Sequence, residues 1–199
     1  MGKKKLMLHS CCGPCSSSVL ERLVEEYEIT IFYYNPNIYP NEEYIRRKEE
    51  QKKFIIKAYN DKVKLIEGDY NKDDFYNIVK GLEDEPEGGR RCFKCYKLRM
   101  LMTAKLAKKL NYDIFATTLT VSPHKSSKKI NEIGIEIENE INFPYLESNF
   151  KKQNGYLRSI ELSKEYGMYR QFYCGCEFSK NESEKRQREK NSLNEVNNK

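Results

Sequence analysis

The chain has 199 residues, a formal net charge of +6, and 33% Asp, Glu, Lys and Arg. That length suits one domain of ordinary size, and no run approaches the ~20 apolar residues that a membrane span needs. Lys3, Lys4 and Lys5 lead into only Leu6, Met7 and Leu8, too short for a signal-peptide core, so a cytoplasmic protein with reduced thiols and no membrane partner is expected.

Leu6, Met7 and Leu8 read as a buried first strand that runs into Cys11, Cys12 and Cys15. A helix over 16–27, capped by serines, follows. Residues 29–34 form a second strand ending in the turn that Pro36 and Pro40 impose. A charged helix covers 42–59, and 63–66 is a third strand. Asp73 and Asp74 open a short helix whose positive end suits them. The acidic, glycine-bearing loop 83–89 leads to Cys92 and Cys95, placed directly before a long helix. Residues 112–118 are a fourth strand, and a further helix begins near Ser126. Residues 142–146 are a fifth strand or an extended connector, followed by a helix over Gly155–Glu165 and then by Cys174 and Cys176. The tail, 179–199, reads as a frayed helix or disorder, with Leu193 and Val196 as its only aliphatic residues after Lys180. Strands alternating with helices predict an α/β fold, a three-layer sandwich around a mostly parallel sheet, with a helical C-terminal part. Residues 1–178 form the single domain.

The seven cysteines fall in three groups, 11/12/15, 92/95 and 174/176. An odd, clustered set in a reducing compartment argues for metal or redox chemistry rather than a disulfide framework. Cys92-x-x-Cys95 alone fits a zinc knuckle, a redox pair or half a cluster site. Its separation from Cys12-x-x-Cys15 far exceeds the ~15–20 residues of a zinc ribbon. Loops after different strands of a parallel sheet meet at its carboxyl edge, so all seven thiols are expected in one pocket. Seven is more than one zinc or one cubane cluster takes. The surplus suits a redox pair plus a spare, or a second metal with an open position. His9 and His124, the only histidines, read as core or turn residues rather than ligands. A phosphate-binding loop wants glycines, whereas this one has a single Gly13 followed by Pro14, which has no N–H to offer.

His9-Ser-Cys-Cys-Gly-Pro-Cys15, Phe32-Tyr-Tyr-Asn-Pro-Asn-Ile38, Gly68-Asp69-Tyr70, Glu87-Gly-Gly-Arg-Arg-Cys-Phe-Lys-Cys-Tyr96, Thr117-Thr-Leu-Thr-Val-Ser-Pro123 and Tyr173-Cys-Gly-Cys176 together resemble the cobalamin-independent epoxyqueuosine reductases (QueH-like). Tyr39 stands where that family often has a histidine, and the tail lies outside the resemblance. The resemblance implies an adenine-nucleotide-hydrolase-like fold and an iron–sulfur oxidoreductase that reduces epoxyqueuosine to queuosine in tRNA. It implies a [4Fe-4S] cluster held by Cys11, Cys12, Cys92 and Cys95. Cys174 and Cys176 are then the redox-active pair or, with Cys15, ligands of a second mononuclear metal, iron or zinc. The implied partners are the tRNA anticodon loop and an electron donor of unspecified identity. Tyr33, Tyr34, Tyr39, Arg46 and Arg47 are candidates to stack on or clamp that loop, against packing for the tyrosines. Two rivals share the pattern: an ATP-dependent tRNA sulfurtransferase-like enzyme, and a non-catalytic metal-stabilised RNA-binding module.

Overall fold

The computed structural model describes the backbone of residues 2–197 and the side chains up to Ser192, so Leu193 and Val196 lie outside the described side chains. Four strands, β1 (Lys4–His9), β2 (Tyr27–Tyr33), β3 (Val63–Glu67) and β4 (Ile114–Thr117), form one sheet in the order β3-β2-β1-β4. Every pairing is parallel, as the strand–helix alternation predicts.

Period-2 alternation in β1 decides which layer each residue feeds. Leu6 and Leu8 join Val19, Leu20, Ile29, Ile31, Phe54 and Leu162 on one face, under α1 (Gly13–Leu23), α2 (Asn41–Tyr59) and a later helix, Gly155–Glu165. Met7 joins Phe32, Met100, Phe115, Ile130 and Ile137 on the other, under α4 (Arg90–Lys109) and α5 (Ser127–Ile141). Between them in sequence lies α3 (Lys72–Val79), capped by the Asn71 side chain, which accepts from the Asp73 N–H. Met7 and Leu8 are fully buried, each side chain contributing roughly 1.5–3 kcal/mol by burial.

Helix starts differ from the sequence expectation, and Pro14 supplies one reason. Proline fits the first helical turn, where its missing N–H is not needed, so α1 begins at Gly13 rather than at Ser16. The serines do not cap it. Ser16 and Ser17 lie inside the first turn, fully buried, and donate back to the carbonyls of Gly13 (2.9 Å) and Pro14 (3.0 Å). Likewise α4 starts at Arg90, which puts Cys92 and Cys95 within its first two turns instead of ahead of it.

The segment 142–146 is an extended connector that touches the sheet at one bridge, Phe115 with Tyr145. A Cβ at Gly134 would fall inside the Tyr145 ring, so the α5 glycine lets this connector press against the helix. After α6 (Gly155–Glu165) the chain closes with α7 (Glu177–Asn197). Its first turns dock through Phe178 against Phe75 and through Ser183, which donates to the Phe172 carbonyl at 3.2 Å. No described helix is long and apolar enough to cross a membrane.

Candidate metal centre

At the carboxyl end of β1 the chain turns through Cys11 and Cys12 into α1, and Cys15 lies on the first helical turn. The three sulfurs all lie within 4.8 Å of one another, with Cys11 and Cys12 at 4.0 Å. Hydrogen bonds from Cys12 and Cys15 hold the Cys11 thiol well below its usual range, and Arg99 and Lys125 act in the same direction. Cys12 and Cys15 are pushed up by sharing that charge. A helix N-terminus favours the thiolate form further. Three thiols gathered this closely, Cys11 the most acidic of them, make a donor set that fits a metal ion.

A buried polar clamp fixes this turn. Gln51, fully buried on α2, accepts from the Ser10 hydroxyl (2.8 Å) and donates to the Ser16 hydroxyl (2.7 Å). Asn35 donates to the Ser10 carbonyl (2.9 Å), and the Gln171 side-chain amide donates to Cys12 Sγ at 3.1 Å. Partners of this kind orient ligands and tune the metal they hold. Gln51→Leu removes the clamp while leaving its shape, and is expected to cost about 1–3 kcal/mol in urea unfolding. It should also lower metal affinity by roughly 10- to 100-fold in a chelator competition. Wild-type values for both would show that the clamp does not position the thiols.

A second group gathers a short distance away. Cys92 and Cys95 on α4 meet Cys174 and Cys176, from the loop before α7, around a pinched cavity of about 10 Å³. The Gly88 N–H donates to Cys92 Sγ (3.2 Å) and the Ser179 N–H to Cys176 Sγ (3.4 Å). Burial pushes the thiols of Cys92 and Cys176 up, and that of Cys95 up to about 12. Gly175, between the two loop cysteines, has φ +149, where glycine is favoured, and a Cβ there would meet Arg47, Ile38 and Asn37 at 3.2–3.3 Å.

The seven thiols thus share one sheet edge but form two groups rather than one pocket. Among the described residues, the preformed metal-sized group is Cys11, Cys12 and Cys15; Cys92 and Cys95 lie with the other set. Two features join the groups. Cys174 lines both the pinched cavity and a larger open cleft of about 580 Å³, whose floor also carries Cys11 and Cys15. Arg99 and Lys125 form the second link. Burial disfavours their charge, but the neighbouring groups, Cys95, Cys11 and Cys174 around Arg99 and Cys174, Tyr96 and Cys11 around Lys125, push both above their ordinary range, so both stay cationic.

Three of the expected RNA-contacting residues are packed away. Tyr33, Tyr34 and Arg47 are buried at 0%, 3% and 1% exposure, because β2 runs through the sheet interior and Arg47 faces inward from α2. Arg46 stays exposed, stacked 3.4 Å over the Tyr169 ring, and Tyr39 is half-buried. His9 is a core residue, as its position in the first strand suggests. It is fully buried, with Nδ1 3.0 Å from Thr117 Oγ1, and burial lowers its pKa to about 3, so it is neutral. His124 is exposed on the cleft wall. Gln51, Gln171 and Lys125 carried no motif of their own in the sequence; Arg99, four residues after Cys95, did have helical spacing to point it toward the same site.

A family model described as epoxyqueuosine reductase QueH matches residues 6–182. The chain is 44% identical to the epoxyqueuosine reductase QueH of Staphylococcus epidermidis, over 89% of its own length and 76% of the relative's. With that of Haemophilus influenzae it shares 39% identity over 92% of this chain and 75% of the relative. With that of Thermotoga maritima it shares 36% identity over 87% and 89%.

Proposed function

This chain belongs to the epoxyqueuosine reductase QueH family, and we propose that it removes the epoxide oxygen of epoxyqueuosine at the tRNA wobble position to leave queuosine. The reaction consumes two electrons and two protons and releases water as the epoxide becomes an alkene. The observation that carries this reading is that Cys11, Cys15 and Cys174 line one open cleft, Cys15 and Cys174 only part-buried, where a splayed nucleotide can reach thiol chemistry.

In this reading Cys11, Cys12, Cys92 and Cys95 hold a [4Fe-4S] cluster, Cys15 is a ligand of a second metal, iron or zinc, and Cys174 with Cys176 is the redox-active pair. Arg99 supports it: its Nε donates to the Cys95 carbonyl at 3.2 Å, and the sulfurs of both groups, Cys95 and Cys11, act on its buried charge. Bound there, a cluster would supply single electrons at low potential, and a second metal would supply Lewis-acid polarisation of the epoxide oxygen. Lys125 keeps its ammonium protons at the cleft wall beside Cys174, where charge on a departing oxygen would be offset. Phe172 presents a ring that is 55% exposed, and Tyr156 a second, for stacking of the displaced base. The gathering of Cys92, Cys95, Cys174 and Cys176 around one cavity favours a second partition, in which those four hold the cluster and Cys11, Cys12 and Cys15 hold the other metal. The nucleotide-activating rival finds no cradle here, since Pro14 occupies the first turn of α1 and Cys12 its cap.

Protein purified without oxygen is expected to be brown, and with a chemical reductant to convert epoxyqueuosine in tRNA to queuosine, read as the loss of one oxygen from the nucleoside by mass spectrometry. Colourless protein that holds one zinc and leaves the epoxide intact would overturn the proposal. The cytoplasm, with its tRNA and reduced thiols, is the proposed compartment.

A further inference from the structure

The family match stops at residue 182, yet the wall of the cleft does not. Helix α7 continues past that point and lends Ser183, Arg186, Gln187 and Lys190 to the cleft. Their spacing, i, i+3, i+4 and i+7, is that of one helix face. Arg186 and Lys190 stand about 6 Å apart along the axis, a span of one to two nucleotides. Across the cleft sit Lys125 and Arg170, and the Arg170 guanidinium is fixed by Ser163 Oγ at 2.9 Å. Against these four cations the cleft lining, among the described residues, holds a single carboxylate, Glu87, 3.6 Å from Arg186. That pair leaves Arg186 61% exposed, and an exposed pair of this length contributes little that a phosphate would have to displace.

We infer that the Arg186–Lys190 face of α7 binds the phosphodiester backbone of the anticodon loop, holding the wobble nucleotide over Cys11, Cys15 and Cys174. This deepens the function proposed above and rests on it, because it takes the tRNA as the polyanion. Single-stranded nucleic acid bound along a basic groove, with bases stacking on nearby rings, is the chemistry that the cleft presents: cations on the α7 side, and Phe172 and Tyr156 beside them. The contacts are to phosphate, so they position the substrate without reading its sequence.

The probe is a fluorescently labelled anticodon stem–loop transcript, titrated into the full chain at several salt concentrations. Arg186→Gln with Lys190→Gln is compared with Lys185→Gln with Arg188→Gln, a charge-matched pair on the opposite side of the same helix. Loss of two phosphate contacts should reduce the slope of log Kd against log salt by about 1.4, and weaken binding about 25-fold at 0.1 M salt. The control pair should retain the wild-type slope. Equal behaviour of the two variants, with wild-type protein both binding the stem–loop and reducing epoxyqueuosine in tRNA, would overturn this inference alone. Wild-type protein that neither binds the stem–loop nor reduces the epoxide would overturn the tRNA reading and the inference with it.

Discussion

Alanine at Cys174 or at Cys176 is expected to lower turnover of epoxyqueuosine-containing tRNA by more than about 100-fold while leaving iron content and cluster absorption intact. The magnitude follows because even a partner one shell beyond a metal is worth 10- to 100-fold, and a redox pair of the kind proposed acts nearer to the chemistry than that. The structure gives the pair its opportunity: Cys174 lines the open cleft and Cys176 lies behind it, with Gly175 setting the bend between them. Cys12→Ala is the contrasting variant, since Cys12 is buried at 1% exposure among the other thiols and should lose iron along with activity. Iron analysis and turnover on the same preparations decide the matter. Loss of iron from Cys174→Ala and Cys176→Ala would move the cluster to the second partition. Full activity in both would end any catalytic or ligand role for the pair.

The second large effect is expected at an anchor of the cysteine loop rather than at a thiol. Arg47 is fully buried, and its Nε donates to Glu43 Oε1 at 2.6 Å. Its two terminal nitrogens donate to the carbonyls of Cys174 (2.9 Å) and Tyr173 (3.3 Å). One side chain therefore ties α2 to the cysteine loop that precedes α7. Arg47→Met leaves Glu43, whose side chain is only 10% exposed, without its main partner, and frees two carbonyls. Breaking a buried pair from one side costs about 3–5 kcal/mol. For a domain of this size each kcal/mol lowers Tm by about 2–4 °C, so a drop of roughly 6–20 °C is expected in calorimetry. The double variant Glu43→Leu with Arg47→Met should recover part of the loss, because it removes the stranded carboxylate as well. A single variant within about 1 kcal/mol of wild type would mean that the loop holds its shape without this anchor.

Much of this was legible in the sequence because it depends on short-range order. Leu6, Met7 and Leu8 as a buried strand, the following helix, and the alternation that demands a parallel sheet all follow from residue periodicity within windows of about ten residues. The placing of the three thiol groups at one sheet edge follows too, since parallel strands bring the loops after them to the same end. Helix starts were harder. Pro14 in the first turn of α1 moved Cys12 to the cap and Cys15 into the helix, and Arg90 brought Cys92 and Cys95 into α4.

What only the tertiary structure decided is which residues face which. Arg47 and Arg46 are neighbours in sequence and equally basic, yet the 100° turn between them along α2 sends one guanidinium to the carbonyls of the cysteine loop and the other to solvent over Tyr169. Tyr33 ends a strand that is covered on both faces, and Tyr34, the next residue, packs inward with its hydroxyl donating to Asp74, so neither ring is free. The division of the seven thiols into two groups, with Cys174 lining the cavities on both sides and Arg99 and Lys125 among them, joins residues from the β1–α1 turn, α4, the loop before α5 and the loop before α7. No local pattern records such distances, because they are set by how the layers close over the sheet rather than by the order of residues along any one element.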